Sequence, residues 1–201
     1  MKALRNLLIF LLIVAGLLAA ISQRLPNHYS FKRDVIIDAT REEIYPWINN
    51  LQKWPEWTVW TAAQDPTLTY TYEGPESGVG AVSEWESKKL GNGRMEIVES
   101  SVMDGLSCDL SFEQGKFQCT SGIKFLPAGF STKLVWSLEC DISRNPVHRW
   151  FGLFLEKETT PAMEQGLKNL KKLVETEKAK SKPAPPPSAV PPLVVTNAVA
   201  P

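Results

Sequence analysis

Apolar residues run without interruption from Leu7 to Ile21, LLIFLLIVAGLLAAI, with Lys2 and Arg5 ahead of the run and Arg24 just past it. Such a run sits at the upper limit of a signal-peptide core, about 7 to 15 residues, and just short of the ~17 to 25 of a spanning helix. Both readings send the chain to a membrane. The basic residues before the run favour a cytoplasmic N-terminus and an exported remainder, while Arg24, Lys32 and Arg33 beyond it pull the other way. Ala20 and Ser22 match a cleavage site poorly, so the expectation is an uncleaved anchor over residues 1–24.

Past the anchor the pattern changes to alternation. Phe31, Val35 and Ile37 predict a strand from Ser30 to Ala39. Thr40 followed by Arg41, Glu42 and Glu43 reads as an N-cap with acidic residues in the first turn. The helix it opens carries Ile44, Trp47, Ile48 and Leu51 on one stripe and tolerates Pro46 near its start. Trp54-Pro55 breaks that pattern and gives a second short helix or turn up to Trp60. From there six runs alternate: Thr67–Glu73, Ala81–Ser87, Arg94–Ser100, Leu106–Phe112, Lys116–Lys124 and Thr132–Asp141. The turn residues between them, such as Gly91-Asn92-Gly93, Asp104-Gly105 and Gln114-Gly115, predict an antiparallel meander with links too short for parallel crossovers.

Helical spacing returns from Pro146 to Lys178. Val147, Trp150, Phe151 and Phe154 form one apolar stripe, and Met163, Leu167, Leu170 and Val174 continue it. Pro161 predicts two segments or a bend. The tail, residues 179–201, is rich in proline and predicts an extended, disordered segment. Its recurrent prolines, such as Pro187 and Pro191, could engage a protein partner, although proline-rich composition alone produces such matches.

Composition narrows the function. The 201 residues are 43% hydrophobic and carry 22 basic and 22 acidic side chains, a neutral balance that offers no electrostatic footprint for nucleic acid. Of the three cysteines, Cys108, Cys119 and Cys140, none forms a CxxC or lies near a histidine, so no metal site is expected. An exported chain could oxidise a pair. If Gln114 and Gly115 turn a hairpin with Phe112 opposite Phe117, Leu110 faces Cys119 and Cys108 is only diagonal to it, about 7 to 8 Å away. Buried thiols acting as small apolar groups are the expectation. The two histidines, His28 and His148, do not accompany a nucleophile motif, and no GxSxG or HExxH is present. Gly78-Val79-Gly80 precedes a strand instead of a helix, so it reads as a hairpin loop, a potential lid, and not as a phosphate cradle. Glu84 and Glu86 alternate away from Trp85 and Ser83 and face solvent if Trp85 faces inward; Glu73 or Glu99 is left as an isolated interior acid.

The order DVIIDATREEIYPWINNLQKWPEWTVW, YEGPESGVGAVSEWES, NGRMEIVE and FGLFLEKETTPAMEQGLKNLKKLVE resembles the SRPBCC superfamily, which includes START-type lipid-transfer domains and polyketide cyclase/dehydrase proteins. The likeness covers roughly Tyr29 to Glu175 and is nearest to a bacterial branch with one N-terminal membrane segment. It implies an α+β helix-grip fold over residues 29–178: a curved antiparallel sheet of about seven strands, two short helices after the first strand, and a long C-terminal helix gripping the concave face. It further implies a cavity between sheet and helix, with the Trp54–Trp60 segment and the Gly74–Gly80 loop at its entrance. Trp57, Trp60 and Trp85 are then the expected contacts to a ligand, with Tyr70 and Tyr72 adding phenolic donors and Phe154 of the long helix counted among the ligand-binding residues.

The leading expectation is a membrane-anchored protein, its soluble domain on the extracytoplasmic (periplasmic) side, that binds a hydrophobic small molecule or lipid without covalent chemistry, cofactor or metal. Two rivals stand beside it. One is a cyclase/dehydratase-type enzyme using a buried cavity acid, and the other a protein-interaction module at the membrane.

Overall fold

The six alternating runs form strands β2 (Thr69–Glu73), β3 (Val82–Glu86), β4 (Gly93–Ser101), β5 (Gly105–Phe112), β6 (Phe117–Ala128) and β7 (Ser131–Asp141). The computed structural model describes residues 2–181 except 114, 116, 143 and 144, and describes residues 147, 148 and 151–156 by their backbone only. Ahead of the meander come helix α1 (Lys2–Ser22), strand β1 (His28–Ile37), helix α2 (Arg41–Ile48), one 3-10 turn (Leu51–Lys53) and the single-turn helix α3 (Trp54–Trp57). Helix α4 (Pro146–Ser181) closes the described chain. All strands pair antiparallel in the order β1-β7-β6-β5-β4-β3-β2, so β1 joins the last strand of the meander. This is the α+β helix-grip architecture.

Local chemistry places the helices. Thr40 and Glu43 form a reciprocal capping box at the start of α2, which satisfies two amide donors that the first turn leaves without partners. Ile44 and Ile48 then turn inward. Met163, Leu167, Leu170 and Val174 on α4 are each at most 2% exposed and press on the concave face of the sheet. Polar ties fix the far half of α4 to β1: Lys171 Nζ donates to the Ile36 carbonyl at 2.6 Å, and Glu175 accepts the Asp38 amide at 2.8 Å.

The fold departs from the sequence expectation in three places. Helix α4 is one continuous run through Pro161, not two segments. Pro161 lies on the exposed side of the helix, where the carbonyl it deprives of a partner can reach water, and burial of the residues after it keeps the helix going. Strand β6 extends to Ala128 and takes in Pro127, which pairs only with β7 because β5 ends its pairing at Lys124; proline is tolerated at such an edge. The helix also reaches Ser181, so the first residues of the expected tail are helical, and residues 182–201 with their prolines lie outside the described residues.

The cysteines also differ. Phe112 does pair with Phe117 and Leu110 with Cys119, and Cys108 stays a free buried thiol pushed up to about 12 by burial. Cys119, however, faces Cys140 across β6 and β7, and the two form a disulfide. Reasoning from the β5–β6 hairpin alone could not see this pair, because its register depends on the β6–β7 turn. The disulfide closes a loop of 21 residues, for which the chain-entropy relation gives about 3 kcal/mol of stabilisation. Reductant should therefore lower the melting temperature. Alkylation of the unreduced, denatured protein should label one cysteine; labelling of all three would refute the pairing.

Candidate ligand cavity

Trp136 organises the concave face. Its ring lies 5.9 Å from Trp54, 5.3 Å from Trp57 and 5.9 Å from Trp60, each tilted or edge-on. The α3 segment is thereby pinned to β7, and α4 approaches through Gly166, where a Cβ would already touch the Trp136 ring at 3.4 Å. Asn169 Nδ2 donates to the Trp57 carbonyl at 3.1 Å and holds the same junction from α4.

The four rings fill one part of the concave face and leave a cavity of about 380 Å³ beside them. Its floor is Met95, Leu110, Phe112, Phe117 and Leu138 of the sheet, and α4 roofs it at Thr159, Ala162 and Met163. The volume falls within the roughly 300 to 1,000 Å³ of small-molecule sites. Three of the ring donors around it are already used. Trp54 Nε1 donates to the Ile48 carbonyl at 2.8 Å, Trp136 Nε1 to Ser121 Oγ at 2.9 Å, and Tyr70 Oη to the Trp60 carbonyl at 2.9 Å. What these residues present to the cavity is chiefly hydrocarbon and ring face. Ser121, accepting from Trp136, keeps its own hydroxyl proton to donate.

The expected site residues divide as follows. Trp60, Tyr70 and Trp85 line the cavity. Trp57 does not: it is fully buried behind Trp136, with Nε1 donating to the Trp47 carbonyl at 3.2 Å. Tyr72 stacks on Tyr70 at 6.1 Å but borders a separate small pocket beside the Gly74 loop. The side chain of Phe154 lies outside the described residues. Burial raises the Tyr70 phenol to about 12, with Tyr72 adding to the effect, and burial raises Tyr72 as well. Both therefore stay protonated through ordinary pH.

The Gly74–Gly80 loop is not at the entrance. Gly78 donates its amide to Asn49 and Gly80 to Ile97, at 3.1 and 2.8 Å, and Asn50 Nδ2 holds Glu76 at 3.2 Å. Those bonds fold the loop against α2 and β4, so it is not a lid. The rim consists instead of the β3–β4 hairpin at Lys89 and Leu90, the β5–β6 hairpin at Glu113, and Glu158 of α4.

Carboxylates change their roles similarly. Glu73 and Glu99 are exposed, and Glu84 is tied to Arg94 on the outer face. The buried acid at the cavity wall is Asp65, a residue that no sequence motif singles out. It accepts from the Ser87 hydroxyl, from the Thr67 hydroxyl and amide at 2.7 and 2.9 Å, and from the Lys89 amide at 3.3 Å. Those donors, Ser87 first, hold its carboxyl well below the usual range. Such a group is a fixed anion that ties the segment before β2 to the β3–β4 hairpin, and it has no proton to give. Trp136, Leu110, Phe112 and Phe117 also went unassigned to the site; their alternation carried the signal, but only the β6–β7 register aligns Trp136 and Leu138 with the β5–β6 hairpin.

Residues 28–175 match the family described as polyketide cyclase / dehydrase and lipid transport. No curated protein matches the sequence. Solved structures share the fold at low identity. One is the KanY protein, at 16% identity and a TM-score of 0.56, covering 75% of this chain and 99% of that one. Norcoclaurine synthase of Thalictrum flavum, in complex with a transition-state analogue, gives 15% and 0.54, covering 75% and 96%. The di-domain aromatase/cyclase StfQ of the steffimycin biosynthetic pathway gives 13% and 0.59, covering 80% of this chain and 54% of its own.

Two substitutions probe the site. Gly93 faces Trp85 across β3 and β4, and a Cβ there would stand 2.1 Å from the indole ring. Gly93→Ala should displace Trp85 from its edge contact with Phe112, at a cost of about 1 to 3 kcal/mol, seen as a lower melting temperature and a shifted tryptophan emission. Asp65, with its carboxyl depressed, adds stability above its unfolded value near 3.9, and loses it as pH falls through the acid range below that. Asp65→Asn should melt below the parent at neutral pH, with the gap closing below about pH 4. A gap independent of pH would show that the charge contributes nothing.

Proposed function

The chain belongs to the polyketide cyclase / dehydrase and lipid transport family, and on that premise we propose that it holds one hydrophobic small molecule or lipid non-covalently in the cavity beneath α4, while α1 fixes it to a membrane. The observation that carries this reading is a cavity of about 380 Å³ whose wall groups Asp65, Tyr70 and Trp136 all spend their polar atoms on the protein. An apolar ligand costs those three groups no hydrogen bond. A cyclase or dehydratase reading would need an acid ready to release a proton. Asp65 is held as the anion, and Glu113 and Glu158 stand exposed at the rim.

Helix α1 is long and apolar enough to cross a membrane, a test that a signal sequence also passes. Its large side chains from Leu4 to Ile21 are exposed on every side, which a bilayer would cover. Retention of α1 is supported by Arg149 in the first turn of α4. Its buried guanidinium donates to the carbonyls of Ser22, Gln23 and Leu25 at 3.1, 3.1 and 3.5 Å, and cleavage near Ala20–Ser22 would disrupt that set. The Cys119–Cys140 disulfide favours an oxidising, extracytoplasmic side, in agreement with Lys2 and Arg5 in the first turn of α1, ahead of its apolar run.

Ala162 lines the roof, so Ala162→Phe should fill the cavity. Titration of the detergent-solubilised protein with a solvatochromic apolar dye should give saturable binding. The variant should weaken it by roughly tenfold or more, equal to about 1.4 kcal/mol, with melting little changed. Equal binding by both proteins would place the dye elsewhere and remove support from the cavity.

A further inference from the structure

Cα partners define a row across the whole sheet: His28, Asp141, Gln118, Ser111, Arg94, Glu84 and Thr71. This row marks one end of the sheet, and the strand residues on the cavity floor and wall cluster around it. Phe117, Phe112, Leu110, Met95 and Trp85 are each one position from a member of the row. The rim hairpins, β3–β4 and β5–β6, project beyond it. At the opposite end lie the β4–β5 and β6–β7 turns, with Met103 60% and Phe130 100% exposed.

The same row begins at His28, where the chain arrives from α1. The connection from Ser22 to His28 is short, and it is fastened. Arg149 binds the last carbonyls of α1, Trp150 Nε1 donates to the Leu18 carbonyl at 3.4 Å, and the Ile142 amide donates to Asn27 at 2.7 Å. Both ends of the link are thereby held to the start of α4 and the end of β7. The cavity therefore opens at the end of the domain that α1 holds. Its β3–β4 rim carries exposed Lys88 and Lys89 followed by Leu90, which is 38% exposed. Cationic heads on apolar stems beside a leucine suit the boundary between headgroups and acyl chains.

We propose that the mouth of the cavity faces the bilayer that holds α1, with the β3–β4 hairpin tip resting on the lipid surface, so that the ligand passes between that bilayer and the cavity without crossing water. This rests on the anchoring reading of α1 and commits the ligand to a membrane-resident amphiphile. Strand β1, with 10 residues, spans roughly 30 Å at about 3.3 Å each. The far turns would then stand well clear of the lipid.

The test uses the full-length protein in phosphatidylcholine vesicles containing a minority of phosphatidylglycerol. An environment-sensitive fluorophore is attached at Lys88→Cys or, separately, at Phe130→Cys; Cys108 is buried and the other two cysteines are bridged. Spin-labelled lipid should quench the probe at position 88 several-fold more than at position 130. Equal quenching, quenching at 130 alone, or quenching at neither would overturn the proposal. The dye titration in detergent is independent of orientation. Dye binding without quenching at 88 defeats the membrane-facing mouth and spares the cavity, whereas quenching at 88 without dye binding supports the orientation and defeats the cavity reading.

Discussion

The contact of Trp136 with the α3 segment is the constraint on which the remaining structure depends. A seven-stranded sheet with one apolar face must remove that face from water, and α4 alone covers only part of it. Trp54, Trp57 and Trp60 close on Trp136 from one side, and Gly166 lets α4 come down on it from the other. Large rings in tilted contact make a rigid block. Because the block is rigid, the space beyond it, toward Phe112 and Phe117, is spanned by α4 instead of being filled, and that space is the cavity.

Polar groups around the block serve to keep it apolar. The indole protons of Trp54 and Trp136 and the phenol proton of Tyr70 are bound to carbonyls or to Ser121, and the buried carboxylate of Asp65 is saturated by Ser87, Thr67 and Lys89. In an enzyme working by proton transfer an acid would be left poised and partly unsatisfied. Here the donors stabilise the ionised form of Asp65, which serves to join the loop before β2 to the hairpin at the cavity rim. Shape and burial are the means by which such a site discriminates among ligands.

Most of the fold was legible because its signals are local. Alternation from Thr67 to Asp141, the Thr40 cap and the Met163-to-Val174 stripe each specify an element within its own residues. Family resemblance then supplied the layering of helix on sheet. The site was less legible. Trp57 and Trp60 are indistinguishable by composition, yet a difference of three residues at the end of α3 puts one behind Trp136 and the other at the cavity. The Cys119–Cys140 bridge and the place of Trp136 depend on β6–β7 register, which requires knowing that the proline-containing stretch to Ala128 stays in the sheet. The Gly74–Gly80 loop looked mobile from its glycines, but long-range bonds to Asn49 and Ile97 hold it.

A largely apolar cavity, in a chain that we propose is held at a membrane by α1, should be occupied in the cell. Native mass spectrometry of the full-length protein, released gently from its own membranes, measures this directly. The account predicts a population carrying one apolar molecule per chain, removable by organic solvent. A bare chain under every release condition, from a preparation that is folded and takes up no added lipid, would contradict it.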